Sequence, residues 1–114
     1  MLTARGPLYA EAIAPEASGR ARQPWHLTDD LRQPLYHLAF ELLEHLGATP
    51  GVYMLQFAQR GAEICFDRLW PFPTASAIAS RGVQEPDLFT CHWRCLTEAP
   101  ILDLCIPGRY ADAL

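Results

Sequence analysis

Thr28-Asp29-Asp30-Leu31-Arg32-Gln33-Pro34-Leu35-Tyr36-His37-Leu38-Ala39-Phe40-Glu41-Leu42-Leu43-Glu44-His45-Leu46-Gly47 is the stretch whose reading decides the fold. Leu31, Leu35, Leu38, Ala39, Leu42, Leu43 and Leu46 recur at steps of four, three and one, which draws a single apolar stripe on an α-helix. Thr28 suits an N-cap, and Asp29 and Asp30 suit the positive N-terminal end. Pro34 removes an interior donor, so the regular helix is expected to begin near Gln33 with Pro34 in its first turn. Gly47 and Pro50 close it.

Away from the stripe, His37, Glu41 and His45 stand four apart and project from one side of this helix, with Glu44 beside them. Two imidazoles and a carboxylate on one face make a candidate divalent-metal site. The same spacing describes an ordinary solvated face opposite the leucines, and no fourth ligand is nominated.

Beyond the helix, Val52 to Ala58 and Ala62 to Leu69 are strand-like runs separated by Gln59-Arg60-Gly61, which predicts a β-hairpin. Alternation places Tyr53, Leu55 and Phe57 on one face of the first strand. Ile64 and Phe66 share a face of the second, opposite Glu63, Cys65 and Asp67. Trp70-Pro71-Phe72-Pro73 then breaks regular structure, because each proline lacks a donor and restricts the residue before it. Ala75 to Ser80 reads as a short helix ending at Gly82. Pro86 opens another that carries Leu88, Phe89, Trp93 and Leu96 along one side, and Ile101 to Ile106 reads as a final strand stopped by Pro107.

Towards the N-terminus, Leu8 to Ala14 suits a first strand ending at Pro15. Residues 15–24 are rich in Pro, Glu, Ala, Ser, Gly and Arg and are expected to form an exposed connector, with Trp25 anchoring on the core where it ends. Residues 108–114 read as a tail. The whole 1–114 is expected to be one α+β domain: a single small sheet of three or four mainly antiparallel strands, with two or three helices packed on one face.

Composition sets the limits on function. A 114-residue chain, half apolar, buries about 65% of the surface it exposes when unfolded, so oligomerisation would add useful area. The formal charge of −4 and the nine scattered arginines give no footprint for a nucleic-acid backbone. The sequence contains neither lysine nor asparagine, which excludes Schiff-base chemistry, a P-loop lysine and N-glycosylation by residue type. No apolar run approaches the ~20 residues of a membrane span and no export signal is visible, so a cytoplasmic protein is expected.

Cys65, Cys91, Cys95 and Cys105 all fall in the second half and are expected as reduced thiols. Cys91 and Cys95 share one face of the last helix. With Cys105 they can be drawn as a zinc set, although no C-x-x-C pattern is present and burial as small hydrophobes explains the pair better. His92, between them, is expected to be a surface or partly buried donor. No activating turn brackets any cysteine as a nucleophile. Asp67 and Arg68, at the end of a strand, can present a carboxylate and a guanidinium to a polar ligand or simply pair with each other.

From about Leu35 to Ile106, the order of a helix, Gly51-Val52-Tyr53-Met54-Leu55-Gln56-Phe57, a hairpin, Phe66-Asp67-Arg68-Leu69-Trp70-Pro71 and Pro86-Asp87-Leu88-Phe89 resembles the C-terminal part of ATP-grasp enzymes. In that family the first strand carries a glutamate and the second ends in a glutamate-x-asparagine pair, which hold the magnesium of the nucleotide. Here Gln56, Asp67 and Leu69 stand at those positions, no lysine is present to grip phosphates, and there is no room for a second nucleotide-binding lobe. The resemblance therefore implies an inactive relative within a larger complex, with Gln56 and Asp67 side by side on the hairpin.

The residues together point to a small non-catalytic protein-contact domain, a homo-oligomer or an accessory subunit, with no cofactor. Trp70 and Phe72 on their stiff loop are the expected interface anchors, with packing as a lid on the core as the alternative. The competing expectation is a small-molecule or metal-binding enzyme using Gln56, Asp67 and Arg68, or His37, Glu41 and His45.

Overall fold

A computed structural model describes residues 1–106, so the tail read at 108–114 lies outside the described residues. The elements follow as β1 (Leu2–Thr3), β2 (Gly6–Pro7), β3 (Ala12–Pro15), β4 (Ala21–Trp25), α1 (Asp29–Leu46), β5 (Met54–Arg60), β6 (Glu63–Trp70), a 3-10 helix (Ala75–Ser80) and α2 (Leu88–Leu96). The mixed class agrees with the sequence. The single sheet does not form: the strands make three separate antiparallel pairs, β1–β2, β3–β4 and β5–β6. Nor do the helices share one packing surface, since α1 packs against β6 while the 3-10 helix packs on β3 and β4 and carries α2 behind it.

Helix α1 starts at Asp29 rather than near Gln33, and Pro34 lies inside it. The Leu31 and Arg32 amides bond to the Thr28 carbonyl and begin the helix ahead of the proline. The carbonyl that Pro34 leaves unserved belongs to Asp30, a solvent-exposed residue, where losing the donor costs little. Gly47 ends the helix in the left-handed region at φ 59°, where the lack of a Cβ removes the steric cost. Leu35 and Leu43 are buried, while Leu46 is 62% exposed, so the stripe packs over its middle and frays at its C-terminal end.

The β5–β6 hairpin forms as expected, closed by Gly61-Ala62 between the Arg60–Glu63 pair. Gly61, at φ 58°, supplies the positive φ of the tight turn. Phe57 pairs with Phe66 and Gln56 with Arg68, so Asp67 is an extra residue bulged out of β6.

The connector read at 15–24 is irregular and exposed only over Glu16 to Arg20: Pro15 closes β3, and Ala21 onward forms β4, with Gln23 buried and Arg22 still exposed. This strand has no apolar alternation to betray it. Its central Gln23 is buried and donates through Nε2 to the Glu11 carbonyl and to Gln84 Oε1, both at 3.0 Å. Pro24 fits because the β3–β4 register shifts between the Ala12–Trp25 and Ala14–Arg22 pairs, leaving it out of the ladder. Trp25 does not anchor on the core: it is 44% exposed under the Arg22 guanidinium, 5.9 Å from the ring centroid.

The strand read at Leu8 to Ala14 is β3 and begins at Ala12, the short strands β1 and β2 precede it, and Ile101 to Ile106 is not a strand. Only Cys105 pairs there, in an isolated bridge with Glu85. Helix α2 begins at Leu88, two residues after Pro86, because two side chains cap it there: Asp87 accepts from the Thr90 amide at 2.8 Å and Ser80 Oγ from the Leu88 amide at 3.0 Å. At 100° per residue its buried face is Leu88, Cys91 and Cys95, and Trp93 and Leu96, read on the leucine side, turn outward at 68% and 56% exposure. The core gathers Met1, Val52, Ala77, Leu88, Cys91 and Cys95, with Ile13 and Met54 packed against it.

Candidate functional site

Between the β3–β4 hairpin, α1 and β5 lies an open cleft of about 810 Å³, a size usual for ligand and peptide sites. Its lining is mainly apolar, with Leu27, Leu35, Leu43, Val52 and Leu55 among the contributors. At the α1 end, Tyr9 and Tyr36 stack with ring centroids 4.4 Å apart and planes 11° from parallel. Burial pushes both phenol pKa values up. Beside them Arg32 donates to the Leu27 carbonyl at 3.0 Å and lies 3.8 Å from carboxylate oxygens of Glu11 and Asp29. This half-buried guanidinium ties the start of α1 to Glu11, just ahead of β3.

Gln56 and Trp70 also line the cleft. The structure brings together Gln56, Asp67 and Arg68, as the sequence suggested, and adds Trp70. Gln56 Nε2 donates to Asp67 Oδ2 at 2.7 Å, Trp70 Nε1 donates to Gln56 Oε1 at 3.4 Å, and Arg68 Nε lies 3.7 Å from the same Asp67 oxygen. The Arg68 guanidinium also sits 5.5 Å from the centre of the Trp70 ring. The bulge at Asp67 makes this possible by turning its carboxylate towards Gln56 on the neighbouring strand. The network satisfies itself at the surface. Asp67 and Arg68 lie outside the cleft lining, and no histidine borders it.

The magnesium that an ATP-grasp resemblance implies does not fit these residues. Gln56 is a neutral amide that already donates its proton to Asp67 Oδ2, and Leu69 offers no donor atom. A single carboxylate shared with an amide and a guanidinium is not a magnesium site.

Trp70 is half-buried and Phe72 is 47% exposed, with their ring centroids 5.9 Å apart. Trp70 thus joins the cleft wall to the exposed Phe72, and the two form one continuous aromatic edge.

On α1, His37 Nε2 lies 3.0 Å from Glu41 Oε1 with both side chains well exposed, and His45 is not joined to them. No group of three or more His, Cys, Asp or Glu side chains among the described residues is arranged to hold a metal ion. All four cysteines are free: Cys91 and Cys95 are buried, Cys65 is half-buried and Cys105 is exposed. Burial, then the neighbouring Cys95 and Asp87, push the Cys91 thiol up to about 11, the opposite of what a nucleophile or a metal ligand needs. His92 is an acceptor rather than a donor on its inner side, because Nδ1 takes the Val52 amide proton at 2.9 Å.

Sequence reasoning missed Glu11, Arg32 and the Tyr9–Tyr36 stack, which meet only through the tertiary fold. It also missed Gln23 and Gln84, 61 residues apart, for which no local pattern exists. No helix among the described residues is long and apolar enough to cross a membrane. No protein-family model matches the chain, and a search of curated proteins gives no significant match.

Proposed function

We propose that this chain is a non-catalytic protein-contact domain, acting as a homo-oligomer or an accessory subunit through the apolar surface that runs from Phe72 across Trp70 into the cleft. The observation that carries this reading is an apolar cleft of about 810 Å³ whose wall at Trp70 meets the exposed Phe72 ring. Pro71 and Pro73 restrict the loop, and Arg68 braces Trp70, so the rings are presented at low entropic cost. Aromatic anchors next to an apolar groove are the usual core of a protein interface.

A second reading, an inactive relative of ATP-grasp enzymes within a larger complex, draws support from Gln56 and Asp67 lying side by side. It too assigns the chain to contact rather than catalysis.

Replacing Trp70 and Phe72 together with serine tests the proposal by sedimentation velocity and thermal melting. The wild-type chain is expected to self-associate and the variant to remain monomeric with its helix content intact. Unchanged mass accompanied by a lower melting temperature would place the rings in the core and overturn the reading.

A further inference from the structure

The floor and the rim of the cleft differ in chemistry. Leu27, Leu35, Leu43, Val52 and Leu88 line it and are each at most 8% exposed, so the deep part is aliphatic and offers no side-chain donor or acceptor. Both strands of each hairpin contribute to the walls, Trp25 and Trp70 among them. Three charged side chains border the cleft, Glu11, Arg20 and Arg32. One is negative and two are positive, so the cleft is positive within a chain whose formal charge is −4. Arg32 is committed to Glu11 and Asp29, 3.8 Å from a carboxylate oxygen of each. Arg20 is exposed at the rim and has no ion-pair partner among the described residues. The volume of about 810 Å³ lies in the range that holds a small organic ligand.

We infer that the cleft binds a small single-chain amphiphile, an aliphatic carboxylate, with its hydrocarbon chain against Leu35, Leu43 and Val52 and its carboxylate at Arg20. The inference goes beyond the contact reading, which rests on Trp70 and Phe72. An aliphatic floor favours a hydrocarbon chain, because each methylene removed from water adds a similar increment of affinity. It disfavours a ligand that is polar along its length, whose groups would go unpaired there. The Arg20 guanidinium presents parallel donors that match the two oxygens of a carboxylate, whereas an alkylammonium head would meet a like charge. Because Arg20 stands in solvent, the ion pair sets the preferred head group and the chain sets most of the affinity.

Titration of the full chain with saturated carboxylates from octanoate to dodecanoate, below their micellar concentrations, tests this by calorimetry and by the fluorescence of Trp25 and Trp70. One molecule is expected to bind per chain, with a dissociation constant that falls about fourfold for each added methylene. Dodecanol, which lacks the charge, is expected to bind about two- to fivefold more weakly than dodecanoate, and dodecyltrimethylammonium more weakly still. Arg20→Glu, an exposed change that leaves the core untouched, is expected to reverse that order. No saturable binding, no dependence on chain length, or an unchanged order in Arg20→Glu would overturn the inference. Several molecules bound per chain together with loss of the native melting transition would also overturn it, as the mark of detergent action. A wild-type chain that self-associates yet binds no carboxylate leaves the contact reading standing and sinks this inference. A chain that binds one carboxylate and stays monomeric removes self-association from the contact reading and leaves this inference standing.

Discussion

Ser80 connects the two helical segments of the second half by a single hydroxyl. Its Oγ donates to the Ala77 carbonyl at 2.7 Å and accepts from the Leu88 amide at 3.0 Å, with the residue fully buried. Ser80→Ala leaves the Leu88 N–H buried without a partner and is expected to cost about 1–3 kcal/mol, read as a lower urea midpoint at unchanged m-value. A neutral result would mean that water reaches α2. The cysteines give a second residue-scale expectation. The Cys91 pKa rises from 9.0 to about 11 on folding, so the folded chain favours the neutral thiol. Its contribution is complete below pH 9 and is lost as pH rises to about 11. Cys95, Tyr9 and Tyr36 shift in the same direction. The melting temperature is therefore expected to fall above pH 9, and a flat profile through pH 11 would contradict this burial. Alkylation in the native state is expected at Cys105 first and at Cys91 and Cys95 only on unfolding, as counted by mass spectrometry.

At the scale of elements, helix α1 makes a graded prediction along its own stripe. Leu43 is buried, Leu42 half-buried and Leu46 mostly exposed. Leu43→Ala is expected to cost about 2–4 kcal/mol, Leu42→Ala less, and Leu46→Ala under about 0.5 kcal/mol. Equal costs at all three, measured by urea unfolding, would mean that the helix packs differently. Helix α1 and the β5–β6 hairpin were legible in the sequence because each carries its own period, 3.6 or 2, over many residues. Strand β4 was not, because the amide of Gln23 takes the place of an apolar side chain and finds its partner at Gln84. In α2 the period was legible but the phase was not: Leu88, Phe89, Trp93 and Leu96 span an arc wide enough for two faces, and the small Cys91 and Cys95 take the inner one. Of the candidate site, Gln56, Asp67 and Arg68 were legible as polar residues on one hairpin. The bulge that joins them, and the cleft beside them, depend on register and on how the hairpins sit, which no single segment encodes.

For the molecule as a whole, the feature that organises the account is an apolar cleft bordered by β3 and β5, which belong to separate strand pairs and do not pair with each other. Large apolar side chains also stand at the surface, Phe72, Trp93 and Leu102 among them. Residue-resolved amide exchange by NMR on the free chain tests the open cleft most directly. The account predicts that amides of β3 and β5 not bonded within the β3–β4 or β5–β6 pairs exchange quickly, while those bonded within the β5–β6 ladder and in the middle of α1 are protected. Uniform protection of residues 12–14 and 54–59 would mean that the two strands close on each other, and would contradict the open cleft together with the contact function drawn from it.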